Sequence, residues 1–116
     1  MTISAADMTK ALIAFDTTSR DGNIPLIAFV EDYLDGWGVP HIRVDYEANR
    51  KTNLFATIGP MQEGGIVLSG HTDVVPVDGQ PWDTDPWTLT EKPDGNLYRR
   101  GTCDMKGFVA ACLSHV

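Results

Sequence analysis

The sequence predicts an α/β fold, and three observations carry that expectation. Segments near both ends repeat apolar residues at helical spacing. Residues 41–46 alternate polar and apolar, the period of a strand with one covered face. Gly65-Ile-Val-Leu-Ser69 is a short unbroken apolar run, expected of a strand buried on both faces.

The first helix is expected over Ala5 to Phe15. Ser4 is its N-cap, Asp7 sits at the third helical position, and Met8, Leu12 and Phe15 form the buried stripe. A second helix follows Asn23, with Pro25 tolerated in the first turn because no intrahelical donor is lost there. Leu26, Val30, Tyr33, Leu34 and Trp37 make its apolar face, and Gly36 or Gly38 ends it. In the strand at 41–46, Ile42, Val44 and Tyr46 share one face, while His41 falls on the polar face with Arg43 and Asp45 and is read as solvated.

A second strand is expected from Asn53 to Ile58, closed by Gly59-Pro60, and a third at 65–69, ending at Gly70-His71. Pro93-Asp-Gly95 is a turn sequence between Trp87–Thr90 and Asn96–Arg99, so a hairpin is expected. The last helix starts near Lys106-Gly107 and turns Phe108, Val109, Cys112, Leu113 and Val116 inward. Lys106, at the helix start, is expected to be solvated. No glycine or proline stops this helix. Residues 1–116 are therefore expected to be the N-terminal portion of a larger domain.

Composition narrows the function classes. The chain has 116 residues, 42% apolar and 22% charged, as in ordinary globular domains. A net charge of −7 argues against nucleic acid, whose phosphates require clustered Lys and Arg. No apolar run approaches the ~20 residues that span a bilayer. The N-terminus lacks the basic and apolar regions of a signal peptide, so a cytoplasmic setting is expected. Cys103 and Cys112 are too few for a disulfide framework and lack Cys-x-x-Cys spacing. Cys112 is read as a packed core thiol.

The chemistry concentrates in Ser69-Gly-His71-Thr-Asp73-Val-Val-Pro76 and Arg100-Gly-Thr-Cys-Asp104-Met-Lys-Gly107. A ligand at the C-terminal end of a buried strand lies where open α/β sheets place their sites. His71 can bind a metal through one ring nitrogen while the other donates to a carboxylate such as Asp73. A loop histidine bonded to a turn aspartate is the structural alternative. Asp104, from a separate loop, could bridge two cations ~3.5–4 Å apart or cap the following helix, and spacing alone does not choose. Asp78, Asp83 and Asp85 are read as turn stabilisers, and Trp82 and Trp87 as loop packing.

On these residues, together with Leu12-Ile-Ala-Phe-Asp-Thr-Thr-Ser19, the chain resembles the co-catalytic zinc hydrolases. That family includes deacetylases and desuccinylases of acylated amino acids, aminoacylases and related zinc carboxypeptidases. Pro76-Val-Asp-Gly-Gln-Pro-Trp82 is closer to the deacetylase pattern than to the Pro-Gly-Asp of desuccinylases. The resemblance implies a zinc-aminopeptidase-like sandwich, a mixed central sheet flanked by helices. It also implies two zincs, with cobalt as a substitute: His71 is a zinc ligand, Asp73 orients it, Asp104 bridges the two metals, and the Asp104–Met105 peptide is a candidate cis bond.

The activity implied is hydrolysis of N2-acetyl-L-ornithine to ornithine and acetate. The alternatives are succinyl-diaminopimelate desuccinylation or another N-acyl-amino-acid deacylation or dipeptide cleavage. The partner is a small-molecule N-acyl amino acid, and the intact protein is expected to be a homodimer joined through an inserted domain. Arg99 departs from the pattern where a glycine often precedes Arg-Gly. The family's Glu-Glu pair, its further acidic ligand and its C-terminal histidine would all lie beyond Val116. His71 and Asp104 alone cannot fill two tetrahedral zincs, so this chain by itself is expected to be inactive. A rival expectation is a non-catalytic fragment that self-associates through uncovered apolar surface.

Overall fold

Ser4 opens helix α1 (Ala5–Ile13) as expected, its Oγ accepting the Asp7 backbone N–H at 3.0 Å. The computed structural model describes residues 2–48 and 50–116. After α1 come α2 (Ile24–Gly36), β1 (His41–Tyr46), β2 (Lys51–Ala56), β3 (Thr90–Glu91), β4 (Leu97–Tyr98) and α3 (Lys106–Leu113). The α/β class holds. Its sheet component here is two antiparallel pairs, β1–β2 and β3–β4, plus one isolated parallel bridge between Thr18 and Val74. No helix among the described residues is long and apolar enough to cross a membrane.

The core lies where the three helices meet. Met8 and Leu12 of α1, Leu26, Ile27, Val30 and Leu34 of α2, and Ala110 and Leu113 of α3 are buried in one cluster. α1 stops at Ile13, two residues early, because the Phe15 N–H bonds back to the Leu12 carbonyl and the chain turns. Phe15 still packs on the cluster, its ring 5.6 Å from that of Phe29. Trp37 does not join it. At the C-cap of α2 it is exposed, and Ile27 fills the stripe instead.

Asn23 precedes α2 without capping it. Its amide pairs with β2 as a neighbouring strand would: Oδ1 accepts the Thr52 N–H at 2.9 Å and Nδ2 donates to the Thr52 carbonyl at 3.0 Å. This contact fixes β2 two residues earlier than the sequence pattern suggests. The β1–β2 ladder runs from His41 opposite Ala56 to Tyr46 opposite Lys51. His41 is half-buried rather than solvated. Its Nδ1 lies 3.0 Å from the Val39 carbonyl and its Nε2 3.8 Å from Glu31 of α2.

Two strand expectations are corrected. The Ile42, Val44 and Tyr46 face of β1 is exposed, and Gly65–Ser69 forms neither a paired strand nor a buried one, with Ile66 88% exposed. An apolar run becomes a buried strand only where neighbours satisfy its backbone and layers cover its faces. Among the described residues nothing supplies them. The accessible surface of 7377 Å² accordingly exceeds the roughly 6,200 Å² typical of a compact 12.7 kDa domain. The hairpin forms as expected around Pro93–Gly95, though its strands are only two residues each. In α3 the buried side chains are Lys106, Ala110 and Leu113, while Phe108 is exposed.

Replacing Asn23 with alanine would leave both Thr52 backbone groups without this partner. A loss of about 1–3 kcal/mol is expected in urea denaturation. A loss below about 0.5 kcal/mol, the scatter of ordinary surface changes, would show that the contact does not secure β2.

Candidate metal centre

Both candidate loops are held by the chain leaving α1. Val74 is buried, its N–H donates to the Thr17 carbonyl at 3.1 Å, and its carbonyl accepts the Ser19 N–H at 2.9 Å. The Thr17 hydroxyl donates to the Thr72 carbonyl at 2.5 Å. Asn23 Nδ2 adds a 3.3 Å contact to Thr72 Oγ1. Residues 71–74 are thereby fixed on the side where His71 and Asp73 project outward.

The second loop is a tight turn from Arg99 to Met105. The Thr102 N–H and hydroxyl both donate to the Arg99 carbonyl, and the Lys106 N–H donates to the Gly101 carbonyl at 2.8 Å. Two glycines are required. Gly101 has φ +85°, and a Cβ there would lie 2.9 Å from Val74 Cγ1. A Cβ at Gly107 would lie 2.2 Å from the Thr102 carbonyl oxygen. The Asp104–Met105 peptide is cis, as the resemblance implies. Arg99 occupies the hairpin exit as a buried residue.

These supports bring the three predicted residues together. His71 Nε2 lies 3.0 Å from Asp104 Oδ1. Its Nδ1 lies 3.0 Å from the Asp73 carbonyl oxygen and 3.2 Å from the Asp73 carboxylate. Asp104 makes no side-chain cap on α3, so of its two sequence readings the structure removes the capping role. The side chains are open to solvent, Asp104 84% exposed. Exposed ion pairs contribute little to stability. The pair's geometry therefore comes from the buried scaffolding beneath it.

The donor set fits a cation. With the ring proton on Nδ1, facing Asp73, the Nε2 lone pair meets the Asp104 carboxylate head-on, and a positive centre relieves that opposition. Imidazole nitrogen and carboxylate oxygen are ordinary zinc donors. Yet among the described residues no group of three or more His, Cys, Asp or Glu is arranged to hold a metal. His71 and Asp104 are thus a partial donor set. They open on a cleft of about 370 Å³, also lined by Asp73, Arg99, Arg100 and Thr102.

Of the neighbouring acids, Asp85 acts as the expected turn residue, whereas the contacts of Asp78 and Asp83 are ion pairs. Asp85 accepts the Trp87 N–H and the Thr88 hydroxyl, Asp78 pairs with Arg20 at 2.7 Å, and Asp83 reaches Lys92 at 4.0 Å. Trp82 lies under the Arg100 guanidinium at 5.2 Å, packing the loop. Cys103 is exposed. Cys112 is half-buried rather than in the core.

Lys106 corrects the sequence reading. It is 0% exposed, its Nζ donates to the Phe15 carbonyl at 2.7 Å, and the Trp87 ring centre is 5.8 Å away. Burial pushes its ammonium down to about 8, opposed by the negative charge of Asp16. Helical spacing could have found it. Lys106, Ala110 and Leu113 stand at i, i+4 and i+7, the buried stripe of α3.

Residues 67–116, which contain all three converging residues, match the model of peptidase family M20/M25/M40. Relatives to which the chain is similar include three that bear one name. It is 42% identical over 120 residues to acetylornithine deacetylase of Pasteurella multocida (strain Pm70), covering 97% of this chain and 31% of the relative. It is 44% identical over 103 residues to acetylornithine deacetylase of Proteus mirabilis (strain HI4320), covering 88% and 26%. With acetylornithine deacetylase of Myxococcus xanthus the identity is 44% over 107 residues, covering 88% and 27%. The chain thus spans between 26% and 31% of these relatives' length.

Gly107→Ala sets two effects against each other. Alanine is the better helix former by about 1 kcal/mol, but its Cβ would strike a backbone carbonyl, and such overpacking costs about 1–3 kcal/mol. Net destabilisation in a urea melt is the expected outcome. Unchanged or increased stability would mean that the turn relaxes freely away from α3.

Proposed function

We propose that this chain is the N-terminal portion of the catalytic domain of a metal-dependent amide hydrolase. In this reading His71 and Asp104 are zinc ligands, Asp104 bridges two ions, and Asp73 orients His71. The observation that carries it is His71 held between two carboxylates, each presented to a different ring nitrogen. The substrate that the relatives' name supports is N2-acetyl-L-ornithine. The acyl carbon takes the oxygen of water, the amide C–N bond breaks, the leaving nitrogen takes a proton, and ornithine and acetate result. Another N-acyl amino acid, such as succinyl-diaminopimelate, is the alternative within the family. A cytoplasmic homodimer, paired through a domain outside this sequence, completes the proposal.

This chain's own contribution is positional. Asp73 holds the His71 Nδ1 proton, which leaves the Nε2 lone pair directed at the cleft. The Gly101–Met105 turn delivers the Asp104 carboxylate to the same point. A metal bound there would supply Lewis-acid polarisation of the scissile carbonyl and a lowered pKa for the attacking water. Two donors do not saturate tetrahedral zinc, so the general base and the remaining donors come from elsewhere in the working protein. A second reading, self-association, rests on the exposed Ile66, Val67 and Leu68. Light scattering of the chain over a range of concentrations tests it.

In a protein of the relatives' length carrying this sequence, Asp73→Asn is expected to lower zinc affinity about 10–100-fold, the usual effect of losing an orienting partner. His71→Ala should lower it further and abolish N2-acetyl-L-ornithine hydrolysis. The 116-residue chain alone should show no turnover. Zinc content and activity retained in His71→Ala would remove His71 from the site.

A further inference from the structure

Lys106 is the one fully buried charged residue among those described. The roles proposed above for His71, Asp73 and Asp104 leave it without one. Its side chain links two parts of the chain 91 positions apart, because Nζ donates to the carbonyl of Phe15 at the exit of α1. The same exit, through Thr17 and Ser19, carries the backbone bonds that hold residues 72–74. Lys106 also lies beneath the other loop. A Cβ built at Gly101 would stand 3.3 Å from Lys106 Cδ and 2.9 Å from Val74 Cγ1, so the lysine stem, the Asp104 turn and the His71 loop meet at one point.

We propose that Lys106 is a positioning residue for the proposed metal pair, tethering the Asp104 turn to the α1 exit that already carries the His71 loop. Hydrophobic packing alone would not serve in its place. An apolar side chain of similar length could fill the slot, but it could not take the Phe15 carbonyl, which lies just beyond α1 and accepts no other side-chain donor among the described residues. A directional bond sets the distance between α1 and the start of α3, whereas dispersion contacts are individually weak and tolerate sliding. The exposed His71–Asp104 contact has no burial of its own to fix it and takes its separation from this tether.

The proposal rests on the metal-site reading for its purpose but not for its geometry, and the test separates the two. The chain is labelled with 15N-histidine, and the His71 ring shifts are compared between the wild type and Asp104→Asn. That difference is the signature of the 3.0 Å contact. Lys106→Met should erase most of it. Lys106→Arg, which keeps a buried donor, should retain it. Leu34→Ala, a core change in α2 chosen to destabilise the fold by other means, should retain it as well.

In cobalt titrations of a protein of the relatives' length carrying this sequence, followed by visible absorption, Lys106→Met should bind at least about tenfold more weakly than wild type, as expected when a ligand loses its support. Should the methionine variant fail to fold, Lys106→Gln, too short to reach Phe15, takes its place. A contact signature that survives in Lys106→Met, or that falls equally in Leu34→Ala, overturns the positioning role. If even the wild type takes up no cobalt, the metal reading falls on its own account, and the ring shifts alone decide the role of Lys106.

Discussion

The short pairing between the end of α1 and the His71 loop organises this molecule. Thr17, Thr18 and Ser19 receive Val74 as one strand receives another, although the pairing is a single parallel bridge. A lone bridge is weak, and burial makes it durable: Thr17, Thr18 and Val74 are all nearly inaccessible to water. Breaking it would leave unpaired backbone groups in the interior, a cost comparable to several ordinary contacts. From that bridge outward, the placement of His71 follows.

The site therefore shows a division between what is buried and what is exposed. The exposed residues, His71, Asp73 and Asp104, have the chemistry but too little mutual attraction to hold themselves in place. Beneath them, buried Val74, Gly101 and Lys106 and half-buried Gly107 direct no ligand atoms to the cleft but hold the two loops that form it. Glycine at 101 and 107 permits approaches that any side chain would block. A buried lysine then takes up the Phe15 carbonyl just beyond the helix. Burying an ammonium is costly, as the lowered proton affinity of Lys106 shows. A fold retains such a group where direction matters more than stability.

The apolar surface has the opposite character. Ile42, Val44, Phe55 and the Ile66–Leu68 run have side chains suited to an interior and lie exposed. Leu54, Ala56, Ile66 and Leu68 line a groove of about 1270 Å³ that runs between β2, the 65–69 run and α3. Apolar surface exposed along such a groove is unsatisfied in water. Sequence pattern marks the 41–46 face and the 65–69 run as covered because it registers the kind of side chain, not the presence of a covering layer.

Local chemistry made much of this protein legible from its residues alone. Ser4 with Asp7 set the start of α1, Pro25 in the first turn the start of α2, and Pro93-Asp-Gly95 the hairpin, because such signals act within a few positions of themselves. The two motifs marked His71, Asp73 and Asp104 as a set and carried the family resemblance, and the structure brings the three together. What depended on distant contacts was not legible. Whether Asp104 caps a helix or faces His71 is decided by a partner 33 residues away, and whether Asn23 caps α2 or pairs with β2 by one 29 residues away. A side chain's partners across space leave no trace in its immediate neighbours along the chain. Only folding brought Phe15 to Lys106 and Asn23 to Thr52, and with those two bonds the geometry of the site was set.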